Sequence, residues 1–135
     1  MIVTANNSAA LNFSKSADGL LPAIIQDAET KVVLMQGYMN AEALEHTLST
    51  QRVTFFSRSK QRLWTKGESS GHFLDLIKIE ADCDLDSLLI QVKPNGPVCH
   101  TGTDTCWDNT NQGDFLTYLE KTIHNRRDQP SEKSY

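Results

Sequence analysis

Three cysteines and three alternating aspartates crowd into 25 residues of this chain: Asp82-Cys83-Asp84-Leu85-Asp86, then Cys99-His100-Thr101-Gly102, then Cys106. Thiolates are soft ligands that suit zinc, and carboxylates are hard ligands that suit magnesium. The segment therefore offers two kinds of metal site side by side. Structural zinc takes four protein ligands, whereas catalytic zinc keeps three and leaves a position for water. The set Cys83, Cys99 and Cys106 thus points to a zinc that activates water. The thiols are separated by 15 and 6 residues, which is neither a zinc-ribbon nor a thioredoxin spacing. Buried inert cysteine is the bland reading. The polar, turn-like neighbours Pro97, His100, Gly102 and Asp104 argue against it.

Asp82, Asp84 and Asp86 recur at every second residue. In an extended segment their carboxylates share one face and repel unless a cation sits among them. A calcium-binding EF-hand loop begins the same way, but Ser87 stands where it needs glycine and Lys93 where it ends in glutamate. Without a cation the segment is a solvated acidic turn. The zinc nucleotide deaminases need His-x-Glu and Pro-Cys-x-x-Cys, and neither is present. His100, next to Cys99, is the candidate proton shuttle because imidazole titrates near neutrality. His46, His72 and His124 have a weaker claim, and His46 and His124 fall in helix patterns and read as surface residues.

Upstream lies a basic run, Arg52, Arg58, Lys60, Arg62 and Lys66, with no acidic residue among them. Such a run beside a metal segment suits a small phosphate-bearing substrate; a solvated strand face is the alternative. It overlaps Trp64-Thr-Lys-Gly-Glu-Ser-Ser-Gly71. Glycines there let backbone approach a ligand, and Ser69, Ser70 and Lys66 can hold phosphate. Trp64 has two open readings, a plate for a base or a filler of the core.

These groups need a frame. Pro22 to Ala28 and Lys31 to Gln36 read as two strands of a hairpin that lacks the Asn-Gly signature. Gly37 to Met39 reads as a turn, and Asn40 as the N-cap of a helix from Ala41 to about Ser49. Val53 to Ser57, Arg62 to Thr65, Phe73 to Glu80 and Leu88 to Lys93 are further strand patterns. Phe115 to about Arg127 has helical spacing. Residues 1–19 form an arm, loosely ordered or a short helix; residues 20–110 form the domain core; residues 111–135 form a helix and a linker-like tail. The fold class is α+β: a mainly antiparallel twisted sheet or pseudobarrel with two or three helices.

At 135 residues with 39% hydrophobic and 22% charged residues, the chain is one ordinary globular domain. A net charge of −4 leaves no nucleic-acid footprint, and no window is apolar enough to span a membrane. The start carries no secretory signal, and an odd cysteine count in one cluster suits metal binding in the cytoplasm.

Four stretches together resemble phosphoribosyl-AMP cyclohydrolase: Gly37-Tyr-Met-Asn-Ala-Glu-Ala-Leu44, Phe56 to Gly71, Asp82-Cys-Asp-Leu-Asp-Ser-Leu-Leu89, and Gly96-Pro-Val-Cys-His-Thr-Gly102 through Cys106. They run in one order over roughly residues 20–110. The resemblance implies hydrolytic opening of the adenine ring of 1-(5-phosphoribosyl)-AMP between N1 and C6, in histidine biosynthesis. It implies zinc on Cys83, Cys99 and Cys106, drawn from two subunits of a homodimer, and magnesium on Asp82, Asp84 and Asp86. Zinc-activated water attacks C6 and His100 assists proton transfer. Arg58, Lys60, Arg62 and Lys66 neutralise the phosphoribosyl groups, with Trp64, Glu68, Ser69 and Ser70 completing the substrate site. Many members carry asparagine where this chain has His72.

The run from Phe115 to Lys121 and the segment Ser131 to Tyr135 resemble the start of a phosphoribosyl-ATP pyrophosphohydrolase domain. That likeness implies the cyclohydrolase half of a bifunctional protein, without the pyrophosphohydrolase reaction. The competing reading of the cysteines is a non-catalytic zinc-binding interaction domain, which predicts a fourth protein ligand. A thiol redox or metal sensor is a further one and predicts reversible disulfides.

Overall fold

Side-chain alternation drives the first two strands. β1 (Leu21–Asp27) buries Leu21, Ala23, Ile25 and Asp27 and turns Ile24 outward, the period of a half-covered sheet. β2 (Val33–Met39) pairs antiparallel with it, from Leu21 opposite Met39 to Gln26 opposite Val33. The hairpin forms without Asn-Gly because Asp27 builds the turn. Its Oδ1 accepts the Glu29 and Thr30 backbone N–H groups at 2.7 and 3.0 Å. Gly37 to Met39, expected as a turn, instead complete β2. Met39 is fully buried, and Gly37 makes room for the Phe55 ring, which a Cβ there would meet at 2.6 Å.

The computed structural model describes residues 1–107 together with 110 and 111. After β2 comes α1 (Ala41–Thr50), started as expected by Asn40, whose side chain accepts the Ala43 N–H at 2.8 Å. α1 buries Ala43, Leu44 and Thr47. The Thr47 hydroxyl donates to the Ala43 carbonyl and accepts the Thr54 N–H, both at 2.9 Å. That hydroxyl fastens the helix to β3 (Thr54–Ser57), which pairs antiparallel with β4 (Arg62–Thr65). β5 (Leu74–Ala81) and β6 (Leu88–Pro94) form a third antiparallel pair. β6 also lies parallel to β1, giving a four-stranded sheet of order β2-β1-β6-β5. As a central strand β6 buries Leu88, Ile90, Gln91 and Val92.

The architecture is therefore α+β with mostly antiparallel strands, but the described strands close no barrel. β3 and β4 have four residues each and stand as a separate two-stranded sheet. They join the rest through packing of Phe55 and through single contacts such as Val53 N–H to the Leu74 carbonyl at 3.1 Å. Among the described residues α1 is the one α-helix, beside 3-10 turns at Ser8–Ala10 and Phe13–Lys15; the helix expected from Phe115 to Arg127 lies outside them. The N-terminal arm is pinned by the Val3 N–H on the Ile79 carbonyl at 2.8 Å and by burial of Val3 and Leu11. No described helix is long and apolar enough to cross a membrane.

Candidate active site

The cysteine segment folds as a tight loop after β6. The Val98 N–H reaches the Asp104 carbonyl at 3.4 Å, and the Cys99 N–H the Thr103 carbonyl at 3.1 Å. The Gly102 N–H then returns to the Cys99 carbonyl at 3.0 Å, and the Cys106 N–H ties the loop to β2 through the Leu34 carbonyl at 2.9 Å. This fold sets the Cys99 and Cys106 thiols near enough for each to shift the other's ionisation. The two are tuned in opposite directions. The Thr101 hydroxyl donates to Cys99 Sγ at 3.1 Å and, with the Thr101 backbone N–H, lowers that thiol to about 7. Burial, then the neighbouring Cys99, pushes the Cys106 thiol up. His100 is exposed, with Nδ1 4.0 Å from Cys99 Sγ.

Facing this loop is a cavity of about 590 Å³. One wall is the cysteine loop, with Cys99 and His100; the other is the β3–β4 hairpin and the loop after it, with Lys60, Arg62, Trp64 and Lys66. Glu68, Ser69 and Ser70 line it as well. Sequence reading and structure thus meet here at nine positions of one cavity. Trp64 packs on Phe55 with ring centroids 5.1 Å apart, as a filler of the core does, and it also lines the cavity. Glu68 accepts the Thr65 N–H at 3.1 Å and an Arg62 N–H at 2.9 Å, and these contacts hold its carboxyl below the usual carboxylate range. Lys60 and Lys66 make no ion pair among the described residues. The cavity is therefore net cationic, suited to a phosphorylated ligand.

Arg58 does not line it. Its guanidinium sits 3.1 Å from Asp18 and 3.9 Å over the Tyr38 ring, so it ties the arm to β2. His72 and Gly67 line the cavity without having been singled out for binding. Both lie in or beside the Trp64 to Gly71 motif, which was the available signal. Gly67 has φ +89, and a Cβ on it would stand 2.5 Å from the His72 carbonyl carbon. The chain can double back there only with glycine.

The aspartates lie apart, in the loop between β5 and β6. They are brought together, but not by strand alternation: residues 83–85 form a turn, with Leu85 at φ 59. Asp82 Oδ1 accepts the Asp86 and Ser87 N–H groups at 3.0 and 3.2 Å, which curls the segment inward. The carboxylate oxygens of Asp82, Asp84 and Asp86 come within 4.8 Å of one another, a grouping able to hold a metal ion. Lys15 of the arm bonds Asp86 and holds its carboxyl below the usual carboxylate range, while Asn12 N–H reaches the Leu85 carbonyl at 2.7 Å. Lys15 is 71 residues away in sequence, so no local signal could reveal it. Cys83 is exposed on the same loop and joins no three-residue ligand group with Cys99 and Cys106 among the described residues.

Residues 35–108, which hold the cavity, the cysteine loop and the aspartate loop, match the family described as phosphoribosyl-AMP cyclohydrolase. The chain belongs to that family. Its curated relatives include three proteins named histidine biosynthesis bifunctional protein HisIE. That of Bacteroides thetaiotaomicron is 57% identical over 93% of this chain and 62% of its own length. Those of Vibrio cholerae and Shewanella oneidensis are 56% and 59% identical, over 90% and 87% of this chain and 60% and 56% of their own lengths. The chain thus spans about three-fifths of the relatives it matches, and its cyclohydrolase region is the part they share.

Proposed function

We propose that this chain opens the adenine ring of 1-(5-phosphoribosyl)-AMP by hydrolysis between N1 and C6, in histidine biosynthesis, as a cytoplasmic homodimer. The observation that carries this reading is one cavity with Lys60 and Lys66, which make no ion pair among the described residues, at one wall and Cys99 and His100 at the other. Water adds across the N1–C6 bond: its oxygen becomes the carboxamide oxygen on C6 and a proton ends on N1. His100 is the group placed to move that proton. Lys60, Arg62 and Lys66 hold the phosphoribosyl groups, while Ser69 and Ser70 offer hydroxyl hydrogen bonds.

The donor chemistry fits two metals. Cys99 and Cys106, with Cys83 from a second copy, suit zinc, and a thiol lowered to about 7 is already half ionised at neutral pH. Zinc held there supplies activation of water near neutral pH. The separation of Cys83 from the other two thiols in one chain supports sharing between subunits. Asp82, Asp84 and Asp86 suit magnesium, whose role would be to orient a phosphate or ribose of the substrate. A saturated, non-catalytic zinc domain is the less favoured reading, because the family that residues 35–108 match is that of an enzyme.

The test is ultraviolet-monitored turnover of 1-(5-phosphoribosyl)-AMP by zinc- and magnesium-supplied protein. Ring opening that stops on chelation of zinc and returns on its restoration supports the reading. A Cys99→Ser variant that kept both zinc and full turnover would overturn the assignment of the metal.

A further inference from the structure

We propose that His72 is a substrate-positioning residue whose imidazole N–H donates a hydrogen bond to an oxygen of the phosphorylated substrate. The inference rests on the reading above only for the identity of the substrate. Its geometry stands separately. His72 lines the cavity that holds Lys60, Lys66, Cys99 and His100. Its backbone N–H is held by Ser70 Oγ at 3.1 Å. Its ring lies against Gly96, where a Cβ would stand 2.7 Å from Cδ2, 2.8 Å from Cγ and 3.1 Å from Nε2. Any side chain at position 96 would push the imidazole away.

Those three distances place the Cβ over the face of the imidazole, so Gly96 covers one face of the ring and leaves both nitrogen edges free. Neither ring nitrogen has a hydrogen-bond partner among the described residues. No buried side-chain nitrogen lacks a partner, so the ring nitrogens reach open space rather than apolar interior. His72 belongs by its backbone to the loop that carries Glu68, Ser69 and Ser70, and by its ring contact to the stem of the cysteine loop. It sits at the seam between the cationic wall and the thiol wall. A ligand reaching from the lysines to Cys99 passes that seam. Glu68, the one carboxylate among the described residues lining the cavity, is already engaged by Arg62 and the Thr65 N–H, so it does not compete for the imidazole.

The experiment compares His72→Asn, His72→Gln and His72→Phe with the unaltered protein. Asparagine and glutamine each keep a side-chain N–H donor, at the reach of Nδ1 and of Nε2 respectively, and phenylalanine keeps a ring against Gly96 with no donor. Two readouts are taken: KM and kcat for 1-(5-phosphoribosyl)-AMP, and AMP affinity by calorimetry. Loss of one hydrogen bond to the ligand is expected to raise KM and weaken AMP affinity about tenfold in the Phe variant. kcat is expected to change by less than about threefold, and at least one of the two amide variants to stay near the unaltered protein. Thermal melts check that each variant is folded; the Phe variant preserves the packing if the others lose it. Unchanged KM and AMP affinity in His72→Phe overturns the inference, as does absence of AMP binding by the unaltered protein. If AMP binding depends on His72 while no ring opening occurs, the proposed reaction fails and the positioning role stands.

Discussion

Gly67 and Gly71 bracket the loop that walls the cavity, and they offer a controlled pair of substitutions. Both have positive φ, +89 and +81. An alanine at either pays the left-handed cost of roughly 1–2 kcal/mol. At Gly71 a Cβ meets nothing within 4 Å, so Gly71→Ala should cost little more than that. At Gly67 the Cβ would stand 2.5 Å from the His72 carbonyl carbon, 2.6 Å from its oxygen and 2.6 Å from the Phe73 nitrogen. This is about 1 Å short of ordinary carbon contact, and every colliding atom is backbone that no rotamer change can move. Such overpacking adds about 1–3 kcal/mol. Gly67→Ala should therefore lose about 2–5 kcal/mol in urea denaturation, clearly more than Gly71→Ala. Function should separate the two further. Relief of the collision shifts Glu68, Ser69, Ser70 and His72 together, and a displacement of about 1 Å can cost about 100-fold in rate. Turnover of 1-(5-phosphoribosyl)-AMP should drop to that extent in Gly67→Ala and by less than about threefold in Gly71→Ala. Equal denaturation midpoints and equal kcat/KM for the two variants would refute the reasoning.

Thr47→Val keeps shape but leaves the buried Thr54 N–H without its acceptor, so chemical denaturation should show a loss of about 1–3 kcal/mol; a change below about 0.5 kcal/mol would mean that water or a neighbour replaces the hydroxyl. The Glu68 carboxyl is held low in the folded state, so its contribution is present above about pH 4.3 and is lost as pH falls through the lower folded value. Glu68→Gln should accordingly weaken stability at neutral pH and flatten the acid limb of the stability profile measured from pH 2 to 7. Thr101→Val removes the leading cause of the lowered Cys99 thiol, so alkylation of metal-free protein should need a higher pH than the midpoint of about 7 in the unaltered chain. An unchanged alkylation profile would assign the shift to backbone N–H groups instead.

The local signals in this chain were strong where one residue decides a local geometry. Asn40 starts α1 because its side chain satisfies an orphan helix N–H, and the alternation Leu21, Ala23, Ile25 commits β1 to a half-buried strand. Gly37 misled, because a glycine in sequence looks like a turn and only the arrival of Phe55 shows that it is a strand residue leaving space. The aspartates were gathered as their spacing suggested, yet by a turn at Leu85 that the alternation argument did not contain.

Residue types determined the chemistry: soft thiols, clustered carboxylates, a basic hairpin and one histidine beside a cysteine are legible in any order of folding. Position was decided only by contacts distant in sequence. The structure holds Arg58 against Asp18 and Tyr38, off the lining of the cavity, sets Lys15 against Asp86, and leaves Cys83 outside any ligand group with the other thiols among the described residues. It also lays His72 on Gly96, which orients an imidazole that the sequence marked only as a substitution. Ligand chemistry is a property of the side chain itself, whereas orientation is a property of whatever packs against it, and that partner is chosen by the fold.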